Sequence, residues 1–323
     1  MLIDILYTLI GFALLIWGAD RFVIGAASTA SILGVPPVLI GLTIVGFATS
    51  TPEIMVSASA ASQGLTSMAL GNAIGSNIAN VGLVLGVTAI ILPICGKISA
   101  SLSKELPILI LLTPVTMLLF IDGQISRVDA GILLAALALF IIWMSWIGLR
   151  TDSEADQIAD EVQNEIPPGI GIGMASLWIV IGLVTLLLGA KSLVTGAESL
   201  ALAFGVSNLV IGVTIIAIGT SLPELAVSAV SALKGDTGIA VGNVIGSNVF
   251  NLLAVVGVAG WIHPSTFDPS LLTLHYPVMI AFTVPLLLIA YNPFGKKGLS
   301  RGMGFALLAA YIAYQAIVVG TSI

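Results

Sequence analysis

The sequence predicts an all-α integral membrane protein, with ten transmembrane helices arranged as two inverted five-helix repeats and broken helices at the midplane. Three observations predict it. Apolar residues make up 58% of the 323 positions and charged ones only 8%, with a mean hydropathy of +1.16, whereas soluble domains carry about 25% charged residues. Ten apolar stretches are long enough to span a bilayer, which takes about 20 residues each. The first five of them recur as the last five. The same composition excludes a soluble fold and a disordered chain, and ten basic residues against sixteen acidic ones exclude a nucleic-acid binder.

The spans are expected near 2–24, 36–61, 66–92, 105–121, 128–149, 170–195, 207–233, 238–262, 272–291 and 302–320. The N-terminal stretch has no basic n-region and no small-residue cleavage site, so it is expected to remain as the first span. One long polar interruption divides the chain into a first repeat over 1–149, an acidic linker over 150–169 and a second repeat over 170–323. Asp152, Glu154, Asp156, Asp160, Glu161 and Glu165 stand there against Arg150 alone, which accounts for all but one unit of the net charge of −6. A lone cysteine, Cys95, cannot form an internal disulfide, and no Cys/His spacing suggests zinc or haem. No cofactor is expected.

The duplication is explicit. GLTIVGFATSTPEIMVSA at 41–58 aligns with GVTIIAIGTSLPELAVSA at 212–229, and GNAIGSNIAN at 71–80 with GNVIGSNVFN at 242–251, each pair 171 residues apart. Gly18, Gly25 and Gly34 match Gly189, Gly196 and Gly205 at the same offset. Because five is odd, the second copy enters the membrane from the opposite face, and inverted repeats with ion sites at the midplane are a transporter architecture. Glycines also recur every seven residues in the first and sixth spans, Gly11, Gly18 and Gly25 in one and Gly182, Gly189 and Gly196 in the other. Such smooth faces suit sliding.

Lysine and arginine in short loops set orientation. Arg21, Lys97, Lys104, Arg150, Lys234, Lys296, Lys297 and Arg301 fall on one side, against Arg127 and Lys191 on the other. This predicts a plasma (inner) membrane protein with both termini extracytoplasmic and the acidic linker in the cytoplasm.

Two carboxylates fall inside spans, Glu53 and Glu224. A charge at the centre of a bilayer costs about 2.5–3.5 kcal/mol even on insertion scales, so such residues are functional candidates. Mere pairing with cations is a poor alternative: the only intramembrane candidates, Arg21 and Lys191, match Ser192 and Asp20 at the repeat offset, so no symmetric cations serve the symmetric glutamates. Each glutamate follows a proline, in Thr49-Ser50-Thr51-Pro52-Glu53 and Thr220-Ser221-Leu222-Pro223-Glu224. A proline within a helix removes a hydrogen bond, so carbonyls over 46–49 and 217–220 are expected to lose their donors and to face a cation. In the third and eighth spans, Ser76 with Asn80 and Ser247 with Asn251 share a helix face at i, i+4. Asn72, Asn77, Asn243 and Asn248 form a secondary set, as caps for broken helix ends. Carboxylate, hydroxyl, amide and carbonyl oxygen without sulfur or imidazole suits hard cations such as Ca²⁺ or Na⁺.

The paired [AG]-T-S-x-P-E and G-N-x-x-G-S-N-x-x-N motifs, duplicated across both halves, resemble the α-repeats of the Ca²⁺/cation antiporter superfamily, especially the prokaryotic Na⁺/Ca²⁺ exchangers. The resemblance implies alternating access, with Na⁺ inflow driving Ca²⁺ outward through a cluster of four sites. It implies Ca²⁺ ligation by the side chains of Glu53 and Glu224 and the carbonyls of Thr49 and Thr220. Flanking Na⁺ sites would use Ser50, Ser76, Ser221, Ser247 and the carbonyls of Gly46 and Ala217, with Asn80 and Asn251 lining the middle site. Several family members, including potassium-dependent ones, carry aspartate where this chain has Asn251. Two formal charges in place of three argue for K⁺-independent, electrogenic exchange.

Competing readings are a Ca²⁺/H⁺ antiporter of the same fold, since two close carboxylates hinder each other's ionisation, and, from other classes, a channel or an intramembrane hydrolase using the carboxylate pair. The hydrolase is disfavoured because no Ser/His or metal dyad accompanies the glutamates. His263 and His275, around Pro264, Asp268 and Pro269, are expected to be solvated. Cys95 reads as a packing residue, and Trp143, Trp146 and Trp178 as interfacial anchors.

Overall fold

In the computed structural model, residues 2–33, 40–95, 102–148, 170–203, 212–291 and 298–320 are described. The acidic linker and the loop lysines Lys97, Lys296 and Lys297 lie outside them.

Within the described residues, each apolar stretch is largely helical. The first half contains α1 (Leu2–Leu33), a π-helical turn over Gly41–Val45, α2 (Gly46–Thr49), α3 (Thr51–Ser62), α4 (Thr66–Ala79), a second π turn over Asn80–Leu85, α5 (Gly86–Ile91), α6 (Leu102–Leu119) and α7 (Arg127–Gly148). The second half contains α8 (Ile172–Ala203), a π turn over Gly212–Ile216, α9 (Ala217–Thr220), α10 (Leu222–Leu233), α11 (Thr237–Phe250), a π turn over Asn251–Val255, α12 (Val256–Ile262), a π turn over Leu271–His275, α13 (Tyr276–Tyr291) and α14 (Arg301–Gly320). From the first π turn to α5, every element reappears 171 residues later with the same order of helix types.

Two helices outrun the expectation. The first was placed at 2–24 and the sixth at 170–195, but α1 and α8 continue to Leu33 and Ala203. Polar Asp20 and Arg21 do not end α1, because Phe22 to Leu33 contains neither proline nor a helix-stopping turn and Pro36 is the first residue that bars continuation.

α3 and α10 end alike. Leu65 N–H donates to Ala60 O (2.9 Å) and Gly64 N–H to Ala61 O (2.9 Å), while Asp236 N–H donates to Ser231 O (2.8 Å) and Gly235 N–H to Ala232 O (3.1 Å). These are Schellman closures, which need a left-handed residue, and Gly64 and Gly235 supply it with φ of 78° and 82°.

The helical rods over Thr66–Ile91 and Thr237–Ile262 form the centre, the second buried without interruption over 239–257 and the first along most of its apolar stretch. They are apolar on nearly every face, as interior helices are. Gly75 and Gly246 allow the crossings: a Cβ on Gly75 would lie 2.8 Å from Val213 Cα, and one on Gly246 would collide with Leu42 O. Around this centre α7, α8 and α14 turn Leu139, Ile142, Val180, Leu188, Phe305 and Ile312 outward, an apolar exterior that suits lipid. Five described helical segments are long and apolar enough to cross a membrane.

α1 and α8 pack on one another antiparallel. A Cβ on Gly18 would meet Gly182 and Leu186, and one on Gly25 would meet Ala175 and Ile179. Their own apolar cluster, with Phe22, Val23, Ala26 and Leu186, reaches Val45, Val227 and Ile239 of the inner elements. At the ends of the bundle, two short antiparallel ladders tie loops of opposite halves: β1 (Ile94–Cys95) with β4 (Gly298–Leu299), and β2 (Gln124–Ile125) with β3 (Ser265–Thr266).

Candidate functional site

The prolines act differently from the expected interior kink. The chain breaks at Ser50 (φ −79°, ψ 0°) and at Ser221 (φ −82°, ψ 2°), and Pro52 and Pro223 sit in the first turn of the next helix. That is where a missing N–H costs least and a fixed φ helps. Proline thus restarts a helix, and places Glu53 and Glu224 in its first turn. The N-terminal dipole favours a negative group there.

The break also corrects the expected fate of two carbonyls. Gly46 O accepts the Ser50 N–H at 3.0 Å, and Ala217 O accepts the Ser221 N–H at 3.1 Å, so neither loses its backbone donor. These are ordinary i→i−4 helix bonds, and the N–H that each proline lacks would have served Ala48 O and Gly219 O, two residues further on. The Gly46 and Ala217 carbonyls each retain a second lone pair.

Glu53, Glu224, Ser50, Ser221, Ser76, Ser247, Asn80 and Asn251 are fully buried, as is Thr49, with Thr220 nearly so. Ser76 and Ser247 lie on α4 and α11, and Asn80 and Asn251 open the π turns that follow. Such turns widen a helix and concentrate at functional sites. No hydrophobic pattern in the sequence marks them.

Across the repeats the ligand sets meet. The Thr49 hydroxyl lies 3.3 Å from Ser247 Oγ, and Ser76 Oγ lies 3.4 Å from Thr220 Oγ1. Ser247 Oγ donates to Glu224 Oε1 at 3.3 Å and approaches Gly46 O at 3.5 Å. Asn80 Nδ2 donates to Asn248 Oδ1 at 3.1 Å. The related contact in the other half is not made: the Asn251 amide has no partner on either atom, and Asn77 Oδ1 is unpaired.

Both carboxylate oxygens of Glu53, Oε2 of Glu224, Oγ of Ser50 and of Ser221, and Oδ1 of Asn80 are likewise buried without a protein partner. A buried polar group left unsatisfied costs about 1–3 kcal/mol, and a charged one more. So many unpartnered oxygens among the duplicated motifs form a cage with the chemistry that suits a hard cation. Away from the cage, Asp20 meets Lys234 Nζ at 2.7 Å and Arg21 Nε at 3.6 Å. The Arg21 guanidinium stacks over Trp178 at 4.8 Å and Trp17 at 5.7 Å. No group of three or more His, Cys, Asp or Glu gathers among the described residues. Among the described residues the cage is thus neutral oxygen around two acids.

The secondary asparagines are not helix caps. α4 runs into its π turn without a break, and so does α11. Asn72 Nδ2 donates to Ser57 Oγ (3.0 Å) and Glu53 O (3.4 Å), while Asn243 Nδ2 donates to Ser228 Oγ (3.0 Å) and Glu224 O (3.2 Å). Asn77 Nδ2 reaches Asn248 O at 3.3 Å and Met279 Sδ at 3.5 Å. The sequence signal for these roles was their presence at the repeat offset, which marks importance but no partner.

Of the two histidines, His263 is exposed, with Nδ1 3.0 Å from the Thr66 hydroxyl. His275 is not solvated as expected. It is 3% exposed and its Nδ1 lies 2.7 Å from the Tyr314 hydroxyl, because the π turn over Leu271–His275 rotates it inward. Cys95 contributes its backbone to the ladder with Gly298. Trp146 is exposed, as an interfacial anchor requires, and Trp143 packs on Phe140 with ring centroids 6.3 Å apart.

Comparison with known proteins agrees with this arrangement. The chain matches the family described as sodium/calcium exchanger protein over residues 3–146 and 174–320. It is 31% identical to the sodium/calcium exchanger MaX1 of Methanosarcina acetivorans over 350 residues, covering 98% of each chain. It is 35% identical to the inner membrane protein YrbG of Escherichia coli over 319 residues, covering 98% of this chain and 97% of the other. Its fold is similar to that of the sodium-calcium exchanger NCX_Mj soaked with 2.5 mM Na⁺ and 0.1 mM Ca²⁺, with a TM-score of 0.81 and 32% identity over 98% of each chain. Matched in both halves and built around an oxygen cage within apolar helices, the chain belongs to the sodium/calcium exchanger family of membrane cation antiporters.

Proposed function

We propose that the chain exchanges Na⁺ for Ca²⁺ by alternating access, with Na⁺ inflow driving Ca²⁺ out through the cage around Glu53 and Glu224. The observation that carries the proposal is the set of buried, unpartnered oxygens on both glutamates, Ser50, Ser221, Asn80 and Asn251. In this reading Ca²⁺ takes the two carboxylates and the Thr49 and Thr220 carbonyls. Na⁺ takes Ser50, Ser76, Ser221 and Ser247 with the second lone pairs of the Gly46 and Ala217 carbonyls, and Asn80 and Asn251 line the middle. The names of the relatives support the choice of ions, since MaX1 is named a sodium/calcium exchanger and NCX_Mj was soaked with both cations.

The chain spans the membrane ten times as two inverted repeats, with both termini extracytoplasmic. The ladders support this reading: β1 and β4 belong to loops on the predicted cytoplasmic side, β2 and β3 to loops on the other. The pairing of Asp20 with Lys234 also supports it, since this reading assigns both residues to the cytoplasmic side.

The test is uptake of radiolabelled Ca²⁺ into proteoliposomes. A Na⁺ gradient should drive it in the absence of K⁺, and a pH gradient should not. Uptake driven by protons and indifferent to Na⁺ would replace this reading with Ca²⁺/H⁺ exchange.

A further inference from the structure

Each half of the cage is braced by an asparagine from the other half. Asn72 and Asn243 are buried, with partners in both repeats. The Asn243 amide donates to Glu224 O and Ser228 Oγ of its own repeat, and its Oδ1 accepts the Thr49 hydroxyl at 3.0 Å. Asn72 donates to Glu53 O and Ser57 Oγ, and its Oδ1 accepts the Thr220 hydroxyl at 3.2 Å. The serines pass the chain on, Ser57 to Ala69 O (3.1 Å) and Ser228 to Ala240 O (3.4 Å).

We propose that Asn72 and Asn243 are reciprocal positioning residues, each locking the glutamate backbone of its own repeat to the helix break of the opposite repeat so that the two half-sites present their ligands in register. Thr49 and Thr220 are the last residues before the breaks at Ser50 and Ser221. Holding their side chains therefore holds the turn from which Ser50, Glu53, Ser221 and Glu224 hang. The threonine hydroxyl has one proton and a competing acceptor in its own helix, Val45 O at 3.0 Å from Thr49 and Ile216 O at 3.0 Å from Thr220. Without the asparagine oxygen the proton returns to that carbonyl and this bond between the repeats is lost. The position needs a short side chain that donates and accepts at once and adds no charge beside two carboxylates. Asparagine meets all three needs. Hydrogen bonds chained in this way in a dry interior reinforce one another.

The inference rests on the exchange reading, and its test separates the two. Equilibrium binding of Ca²⁺ to the purified full-length protein is measured for Asn243→Ala, Thr49→Val, their double variant, and Asn243→Ala combined with Thr220→Val, alongside the unfolding temperature. Thr49→Val should bind Ca²⁺ about tenfold more weakly, the equivalent of one buried hydrogen bond, and Asn243→Ala, which also releases Glu224 O and Ser228 Oγ, at least as weakly. The Asn243/Thr49 double variant should be little weaker than Asn243→Ala alone, because the bond to Thr49 is already gone. The Asn243/Thr220 combination, which breaks both braces, should be weaker by about a hundredfold. Thr49→Ser, which keeps the hydroxyl, should bind Ca²⁺ more tightly than Thr49→Val. Multiplying losses in the Asn243/Thr49 pair, or a lower unfolding temperature with unchanged affinity, would overturn the proposal. If Asn243→Ala does not fold, Thr49→Val against Thr49→Ser decides alone, and equal affinities overturn the brace. A wild-type protein that binds no Ca²⁺ would instead sink the exchange reading itself.

Discussion

Gly18 faces Gly182 so closely that a Cβ on Gly18 would lie 2.9 Å from the Gly182 carbonyl oxygen, and one on Gly182 would lie 2.6 Å from Phe22 N. The glycines of α1 and α8 thus hold these two helices to each other, and the pair rests on the inner elements through alkyl side chains. Flat glycine contact makes one two-helix body, and the alkyl layer is the surface on which a shear motion can run.

Disulfide crosslinks introduced between α1 and α8 should therefore leave exchange largely intact, whereas crosslinks from either helix to α3 or α10 should stop it without destroying ion binding. Full exchange after complete crosslinking to α3 and α10 would defeat the moving-pair idea. Gly182→Val should separate the two helices, because the obstructing atoms are backbone and cannot step aside. Its loss should appear as a lower unfolding temperature, by an amount comparable to an overpacked core at about 1–3 kcal/mol.

Glu53→Gln and Glu224→Gln are each expected to abolish Ca²⁺ exchange and leave the fold intact. Glutamine keeps the shape and one oxygen, but removes the charge that offsets dehydration of a divalent ion. The measurements are Ca²⁺ flux in proteoliposomes and elution of the purified variant as a single species. Near wild-type flux in either variant would remove that glutamate from the cage.

Topology can be read with single cysteines in a Cys95→Ser background. An impermeant thiol reagent added to intact cells should label positions 122 and 268 and spare position 156. The ladder between Gln124–Ile125 and Ser265–Thr266 requires 122 and 268 to behave alike, whichever way the protein is inserted. Labelling at 156 with protection at 122 would invert the orientation.

The charge of the cage predicts a current. Two glutamates are balanced by one Ca²⁺, while three Na⁺, the load that the resemblance to the Ca²⁺/cation antiporters implies, leave one positive charge, so each turnover should move one net charge. The membrane potential should then contribute about 2.3 kcal/mol per 100 mV. Current and Ca²⁺ flux recorded together should show one charge per Ca²⁺ exchanged and no K⁺ requirement. Voltage-independent flux would refute the count, and a strict K⁺ requirement would contradict the inference drawn from neutral Asn251.

Local composition and spacing were enough to identify the membrane setting, the 171-residue duplication and the polar residues that gather in the buried cage. Hydropathy over about 20 residues and a motif repeated in register are properties of short windows, and a buried glutamate in such a window has few explanations. Other features depended on residues far apart in sequence. That Pro52 and Pro223 restart helices, not merely kink them, is decided by where the chain breaks at Ser50 and Ser221. That His275 is buried against Tyr314, 39 residues away, follows from a π turn that no periodicity reveals. The contacts of Thr49 with Asn243 and of Thr220 with Asn72 join residues 194 and 148 positions apart. Both members of each pair stood out in the sequence, but only the packing of one repeat against the other could bring them together, because a hydrogen bond between elements is set by their relative placement and leaves no trace in the spacing within either one.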